Sequence, residues 1–216
     1  MTLSQRDLIE LRAEFVRLSG SGKRVVPAAR GHGIYSSVTL PGLDDMVAVR
    51  DTAQRYADFG VPESLAGKTF LDLGSNVGAM TFEATRRGAS VTGVEFREDR
   101  VALCTRVAQL YGLEAKFYHA NFNDLDDDPS EWRRSHHVVL CSSVDEYVDD
   151  LETFYAMIRD LCTEALYFEC NVQSGQSVDD TTKMLTRAGF VGVEHLGNGN
   201  SGGIRRKRKI YRARVS

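Results

Sequence analysis

The stretch from residue 68 to residue 82 constrains the fold of this chain more than any other part of its sequence. Residues 69–73 form a short apolar run that ends at a glycine, which is typical of a buried strand. Gly74 and Gly78 then flank a tight turn, and residues 77–86 have the composition of a helix. A strand, a glycine turn and a helix in this order bring backbone amide groups close to a nucleotide-like ligand. The stretch therefore predicts a ligand site at the end of a buried strand.

The acidic side chain of Asp72 restricts which ligand this turn can hold. Asp72 lies two residues before the first glycine of the turn. A negative charge there would repel a pyrophosphate, so a site that cradles phosphate groups fits poorly. A ligand with a positive charge beside its nucleoside fits better, as in S-adenosylmethionine with its ammonium and sulfonium groups.

Strand-like and helix-like segments alternate after residue 65, which is typical of parallel sheets covered on both faces. We predict strands at residues 69–73, 90–94, 115–119, 138–142, 165–169, 191–196 and 207–213. We predict helices between them at residues 77–86, 98–111, 151–161 and 177–188. The last two strands have no helix between them and should form an antiparallel hairpin. The predicted class is α/β, with a Rossmann-like, seven-stranded, mostly parallel, doubly wound sheet.

The residues before this alternation are predicted to cover the sheet. Apolar residues at helical spacing predict an amphipathic helix over residues 2–19, and residues 51–59 also look helical. We therefore predict an N-terminal helical cap or lid at residues 1–65 and a ligand-binding domain at residues 66–216.

Charge and cysteine usage narrow the class of protein. The chain has 216 residues and a formal net charge of −3, which gives no overall attraction to nucleic acid or to an anionic membrane. No apolar run approaches the roughly 20 residues needed to span a bilayer. The four cysteines show no CxxC spacing. We therefore expect reduced thiols, no metal site and a cytoplasmic location.

Polar side chains follow the next three predicted parallel strands, where open α/β sheets bind their ligands. Glu95 ends the second strand, 21 residues beyond Gly74, where an acid can accept the two ribose hydroxyls. Asn121 and Phe122 follow the third strand and could read the edge and face of an adenine. Ser142 ends the fourth strand.

In these motifs the sequence resembles the class I S-adenosylmethionine-dependent methyltransferases. The resemblance is carried by LDLGSNVG at residues 71–78, GVE at 93–95, ANFNDL at 120–125 and VVLCSSV at 138–144. It implies S-adenosylmethionine as cofactor and an enzyme that transfers a methyl group. The cofactor-binding residues that it implies are Asp72, Gly74, Ser75, Asn76, Gly78, Glu95, Phe96, Asn121, Phe122 and Ser142.

Two residues depart from the family pattern. Asn76 stands where the family often has glycine, and Asn121 stands where it often has aspartate. The first departure predicts an unusual backbone angle that Asn tolerates better than most residues. The second keeps an acceptor oxygen for the adenine amino group.

Acidic side chains beyond the fourth strand are candidates for a general base, which a hydroxyl acceptor needs and an amine does not. We predict Glu146 as the base, with Asp145 as the second candidate. Many related O-methyltransferases carry a histidine near here, and this chain does not. The predicted acceptor-binding residues are His32, Tyr35, Tyr147, Glu169 and Asn171.

The basic stretch at residues 205–209 has two interpretations. It could hold an anionic substrate such as RNA, a phosphate or a carboxylate. It could also be a charged edge strand that resists sheet-to-sheet aggregation, and we favour this interpretation.

The sequence thus predicts methylation of a small-molecule acceptor, at oxygen, by a monomer or homodimer. The first alternative is a tRNA or other RNA acceptor bound by the basic stretch. The second is a partner protein that binds S-adenosylmethionine without catalysis. A nucleotide-dependent dehydrogenase fits least, because the turn reads GxxxG and Asp72 opposes a pyrophosphate.

Overall fold

The computed structural model describes residues 3–19, 33–125, 130–170, 177–199 and 208–216. A two-stranded parallel sheet consists of β1 (Ile34–Ser36) and β2 (Ala48–Arg50). The large sheet consists of β3 (Thr69–Leu73), β4 (Ser90–Glu95), β5 (Ala115–His119), β6 (His136–Ser142), β7 (Cys162–Glu169), β8 (Val191–Asn198) and β9 (Lys209–Arg214). The α-helices are α1 (Gln5–Ser19), α2 (Thr52–Phe59), α3 (Ala79–Arg86), α4 (Glu98–Tyr111), α5 (Leu151–Leu161) and α6 (Val178–Arg187).

The large sheet has the strand order β5-β4-β3-β6-β7-β9-β8. Strands β3 to β7 pair in parallel, whereas β9 pairs antiparallel with both β7 and β8. The predicted α/β class, the doubly wound sheet and the C-terminal hairpin are therefore confirmed. Because β3, β4, β6 and β7 run in parallel, the residues that follow them meet at one edge of the sheet.

Both faces of the sheet are covered, as the near-continuous apolar strands require. In β3, Leu71 and Leu73 belong to one core cluster with Phe154 and Ile158 of α5. The intervening Phe70 belongs to a cluster on the other face, with Tyr56 of α2. Alternate residues of one strand thus bury themselves under different helices.

The N-terminal segment packs against the domain through α1. Leu11 and Phe15 of α1 are fully buried in a cluster with Leu103 and Val107 of α4. Strand β2 was not predicted, because a three-residue strand containing an arginine gives no alternating apolar pattern. Its last residue, Arg50, is 1% exposed and lies near the end of β7.

The interpretation of residues 205–209 as a charged edge strand is wrong for its described part. Strand β9 lies between β7 and β8, so the edge strand on this side is β8. Arg208 points inward and bonds to Glu169 of β7. Residues 205–207 lie outside the described residues. Among the helices that the structure describes, none is long and apolar enough to cross a membrane.

Candidate active site

The turn between β3 and α3 adopts the backbone conformation that its glycines suggest. Gly74 and Gly78 have φ angles of 75° and 80°, and Asn76 has a φ of 53°. The unusual angle predicted for Asn76 is therefore confirmed. A Cβ at Gly78 would lie 2.7 Å from the ring of Phe82, and a Cβ at Gly74 would overlap the side chain of Val144. Glycine is thus required at both ends of the turn by angle and by space.

Asp72 is a buried carboxylate that needs a positive partner. Its side chain accepts a hydrogen bond of 2.7 Å from the Thr81 hydroxyl. Burial raises the pKa of Asp72 to about 6, while the Thr81 hydrogen bond and the charge of Arg55 act in the opposite direction. Since an under-compensated buried carboxylate favours a neighbouring cation, this position suits a ligand ammonium group.

Two polar atoms in the turn are buried without a hydrogen-bond partner. They are the hydroxyl oxygen of Ser75 and the amide oxygen of Asn76. Buried polar atoms are seldom left unsatisfied, so these two mark a place where a polar ligand completes the site. Together with Asp72, they make the turn a fit for the methionine part of S-adenosylmethionine.

Glu95 connects the ends of β3 and β4. Its carboxylate accepts hydrogen bonds from the backbone N–H groups of Asn76 at 2.9 Å and Arg97 at 3.2 Å. It also pairs with Arg100 at 3.2 Å. A carboxylate has about four acceptor positions, so Glu95 can still accept from a ribose hydroxyl. The neighbouring Phe96 ring is 61% exposed.

Asn121 and Phe122 follow β5, as predicted, but one side chain is hydrogen-bonded within the protein and the other packs against aromatic rings. The Asn121 amide oxygen accepts from the Asn123 backbone N–H at 3.1 Å. The Phe122 ring packs 5.4 Å from Phe154 and 6.2 Å from Trp132. A cavity of about 340 Å³ lies beside Phe122. Adenine contacts by these two residues stay a prediction.

Glu169, at the end of β7, is the centre of a buried ion cluster. Arg50 donates to both of its carboxylate oxygens, at 3.0 and 3.2 Å. Arg55 of α2 donates at 3.0 Å and Arg208 at 3.2 Å. Burial alone would raise the pKa of Glu169, but the charges of Arg55, Arg50 and Arg208 outweigh it and lower that pKa to about 2. We call Glu169 and these three arginines the arginine cluster.

Two serines at the end of β6 complete the arginine cluster. The Ser142 hydroxyl donates to Glu169 at 3.1 Å and accepts from Arg55 at 2.5 Å. The Ser143 hydroxyl donates to Glu169 at 3.2 Å and accepts from Arg208 at 2.7 Å. Ser143 has a φ of 62°, and its backbone N–H also donates to the Glu169 carbonyl at 2.7 Å. These hydrogen bonds hold Ser143 in a backbone conformation that a serine rarely adopts.

The two predicted base candidates lie on a 3-10 helix, Asp145–Tyr147, directly after β6. Asp145 is buried and accepts from the Cys170 thiol at 3.2 Å. Glu146 is half-buried and accepts a hydrogen bond from the Tyr147 hydroxyl. Burial and this bond raise the pKa of Tyr147 to about 12, although its side chain is 68% exposed.

The predicted acceptor-binding residues divide into three groups. Tyr35 accepts from Arg50 at 3.3 Å and so borders the arginine cluster, and Tyr147 lies beside Glu146. Glu169 is 1% exposed and engaged by several donors, so its carboxylate has little capacity left for an acceptor. His32 and Asn171 lie outside the described residues.

The arginines are the functional candidates that sequence reasoning missed. Arg50 and Arg55 belong to no motif, and Arg208 was one member of a basic stretch assigned to an edge strand. The only usable signal was the acid Glu169 at the end of a buried strand, because a buried carboxylate needs a partner. In the part of the chain that the structure describes, no group of three His, Cys, Asp or Glu side chains could hold a metal ion.

Comparisons with known proteins agree with this geometry. Residues 71–165 match the family model described as a methyltransferase domain, which spans the glycine turn, Glu95 and the Asp145–Tyr147 helix. No protein of curated function matches the sequence at a significant level.

Several solved structures share the fold. EvdMO1 is 21% identical with a TM-score of 0.55, and the match covers 76% of this chain and 40% of that one. An S-adenosylmethionine-dependent methyltransferase from Mesorhizobium loti is 16% identical with a TM-score of 0.58, covering 74% and 97%. The magnesium protoporphyrin IX methyltransferase ChlM from Synechocystis PCC 6803, with bound SAH, is 19% identical with a TM-score of 0.56, covering 76% and 80%.

The chain spans well under two thirds of the length of EvdMO1 but nearly all of the Mesorhizobium loti enzyme. The family match covers the segment that forms the glycine turn, which carries a buried acid and two polar atoms without a partner. Residues 71–165 therefore match a methyltransferase domain, and the chain has the fold of S-adenosylmethionine-dependent methyltransferases.

Proposed function

We propose that this enzyme methylates a small-molecule acceptor at a hydroxyl oxygen, with Glu146 as the general base. The observation that carries the proposal is the position of Glu146 on the 3-10 helix directly after β6. Val144, two residues before Glu146, lies against Gly74 of the cofactor turn. A carboxylate at this position is close to where the cofactor's reactive group is expected.

The cofactor side of the proposal assigns roles to the turn residues. Asp72, Gly74, Ser75, Asn76 and Gly78 would hold the methionine part, Glu95 and Phe96 the ribose, and Asn121 and Phe122 the adenine, with Ser142 at the methionine end. When bound, S-adenosylmethionine supplies an electrophilic methyl group and leaves as S-adenosylhomocysteine.

The acceptor side requires a group that takes one proton. Glu146 would accept the proton of the acceptor hydroxyl as the oxygen forms its bond to carbon. The Tyr147 hydroxyl, which donates to Glu146, holds that carboxylate in place. Asp145 fits the base less well, because it is buried and accepts from Cys170. We assign Asp145 to positioning of the helix that carries Glu146.

The N-terminal segment is proposed to form the other wall of the acceptor site. Tyr35, Arg50 and Arg55 all belong to the predicted cap at residues 1–65, and all three border the end of β7. His32 and Asn171 stay candidates for acceptor contacts. Arg208 of the basic stretch is engaged with Glu169, which favours a small acceptor over RNA.

The cofactor part of this proposal is tested by calorimetry with S-adenosylhomocysteine. Binding with a stoichiometry near one is expected, and folded protein that shows no binding would overturn it. Methyl transfer from labelled S-adenosylmethionine into fractionated metabolites then tests the acceptor class. Label that appears only in RNA would support the RNA alternative, and tight binding without any turnover would support a non-catalytic partner protein.

The assignment of Glu146 is tested with the variant Glu146→Gln. Transfer to a hydroxyl acceptor should fall by about 100-fold or more, in line with the usual contribution of a general base. Affinity for S-adenosylhomocysteine should stay unchanged. Glu152→Gln is the matched control, because Glu152 is an exposed acid in the first turn of α5. Full activity of Glu146→Gln would discard the assignment.

A further inference from the structure

We infer that Arg208, Arg50 and Tyr35 form an anion subsite that binds a carboxylate or phosphate group of the acceptor. This inference rests on the proposed function, since it names the class of molecule that the same site methylates. The subsite would bind a charged group of the acceptor that is separate from the oxygen that receives the methyl group.

The first argument is the charge balance of the arginine cluster. Three guanidinium groups surround one carboxylate, and the side chains of Arg50, Arg55 and Glu169 are 1%, 6% and 1% exposed. Burial lowers the pKa of Arg55, the charge of Glu169 opposes this shift, and the charge of Arg50 adds to it. Buried charges in proteins are normally paired. A surplus of positive charge at this depth therefore favours an additional anion.

The second argument is the number of hydrogen-bond donors. Each guanidinium carries five N–H donors. The Nε–H groups of Arg50 and Arg55 are buried and have no hydrogen-bond partner. Arg208 donates through Nη1 to Ser143 at 2.7 Å and to Glu169 at 3.2 Å. The Glu169 carboxylate already accepts six hydrogen bonds. The remaining N–H donors of the arginines are therefore left for another acceptor group.

The third argument is location. Arg208 is 18% exposed, which makes it the most accessible of the three arginines. It lies at the same edge of the sheet as Glu146. Arg208 donates to the Ser143 hydroxyl at 2.7 Å, and Ser143 is three residues before Glu146. An anion bound by Arg208 would thus lie beside the Glu146–Tyr147 pair. The acceptor then reaches the proposed base with one end and the arginines with the other.

The cofactor has a carboxylate of its own, which is a second possible source of the same chemistry. Arg55 donates to Ser142 at 2.5 Å, and Ser142 ends β6, the strand that pairs with β3, which carries Asp72. Arg208 donates instead to Ser143, which leads into the Asp145–Tyr147 helix. We therefore assign Arg55 to the cofactor side and Arg208 with Arg50 to the acceptor.

The test is a titration of protein labelled with ¹⁵N-arginine, followed through its Nε–H signals by NMR. Acetate and inorganic phosphate are the anionic probes, and acetamide is the neutral probe of matched shape. In protein saturated with S-adenosylhomocysteine, both anions should shift the Arg50 and Arg208 signals saturably, whereas acetamide should not. Arg208→Gln should weaken anion binding by about tenfold or more.

Arg212→Gln is the control, because Arg212 lies on β9, the strand that begins directly after Arg208, and pairs with the surface acid Glu194 at 2.7 Å. It should leave anion binding unchanged. No saturable response, or an equal response to acetamide, would overturn the subsite while the calorimetric test of the cofactor still stands. A response that disappears when S-adenosylhomocysteine is added would also overturn it, because the cofactor carboxylate would then occupy the arginines.

Discussion

Asp72 and Glu169 are both acidic, both lie on buried strands, and both are almost inaccessible to solvent, yet their pKa values shift in opposite directions. Burial raises the pKa of Asp72 to about 6, since its hydrogen-bond donor is the neutral Thr81 hydroxyl. Three arginines lower the pKa of Glu169 to about 2 against the same effect of burial. The end of β3 is thus short of positive charge, and the end of β7 has a surplus of it. The cofactor ammonium group proposed for the first region and the anion proposed for the second would each compensate the local charge.

The largest expected effect comes from Glu169→Gln. This change removes the one anion from three buried cations, and breaking a buried ion pair in this way costs about 3–5 kcal/mol of unfolding free energy. Urea denaturation followed by circular dichroism measures it. Glu164→Gln is the control, because Glu164 forms a half-exposed pair with Lys68 that should contribute about 1 kcal/mol or less. Equal losses in the two variants would contradict the structural role of the arginine cluster.

The pH dependence of stability should separate the two acids. The pKa of Asp72 is higher in the folded chain than in the unfolded chain, so its stabilising effect is present below about pH 4 and is lost as pH rises through about 6. Asp72→Asn should therefore be more stable than the unsubstituted protein at pH 8, by up to about 3 kcal/mol, and show little gain near pH 4.

Glu169 should behave in the opposite sense. Its folded-state pKa is lowered, so its contribution is present above its unfolded pKa and is lost as pH falls towards about 2. Denaturation curves of the ligand-free protein between pH 4 and pH 8 test Asp72. A constant difference between Asp72→Asn and the unsubstituted protein over that range would show that Asp72 is not titrating there.

A somewhat smaller effect is expected on cofactor affinity. If Asp72 holds the methionine ammonium group, Asp72→Asn should weaken binding of S-adenosylmethionine by about 10- to 100-fold, the range for a hydrogen bond to a charged group. The same variant should bind more weakly although it is more stable at pH 8. Calorimetry at that pH measures both the affinity and the stability of the variant. Unchanged affinity would refute the role of Asp72.

The smallest expected effect is that of Asn76→Gly. Glycine adopts a φ of 53° without strain, so the variant should gain up to about 1 kcal/mol in unfolding free energy. Asn76 contributes a buried amide oxygen without a partner, and losing it should weaken cofactor binding by a few-fold. Thermal unfolding with and without S-adenosylhomocysteine compares the two effects. A destabilised variant with normal affinity would contradict both expectations.

The same two regions show how far the sequence predicts the molecule. The glycine turn is contiguous, so its strand, its glycines and Asp72 could be recognised together within ten residues. Strands β3 and β5 and helices α4 and α5 agree with the prediction at both ends. Asp72 was expected to favour a cation on charge alone, and its raised pKa adds a physical reason.

The arginine cluster could not be predicted in this way because its members are far apart in the chain. Arg50 and Glu169 are separated by 119 residues, and Arg55 and Glu169 by 114. Arg50 belongs to a strand of three residues that leaves no hydrophobic pattern. For Arg208, the neighbouring basic residues suggested a charged edge strand, whereas this residue lies just before β9 and bonds to the buried Glu169 of β7.

The small β1–β2 sheet carries residues at the arginine cluster that are separate from the residues of the glycine turn. Tyr35 is on β1 and Arg50 is on β2, outside the seven-stranded sheet that carries Asp72 and Glu95. If the proposed anion subsite holds the acceptor, substitutions in these two short strands would alter the acceptor's surroundings without touching the glycine turn. The choice of acceptor could then diverge during evolution while the methyl donor stays the same.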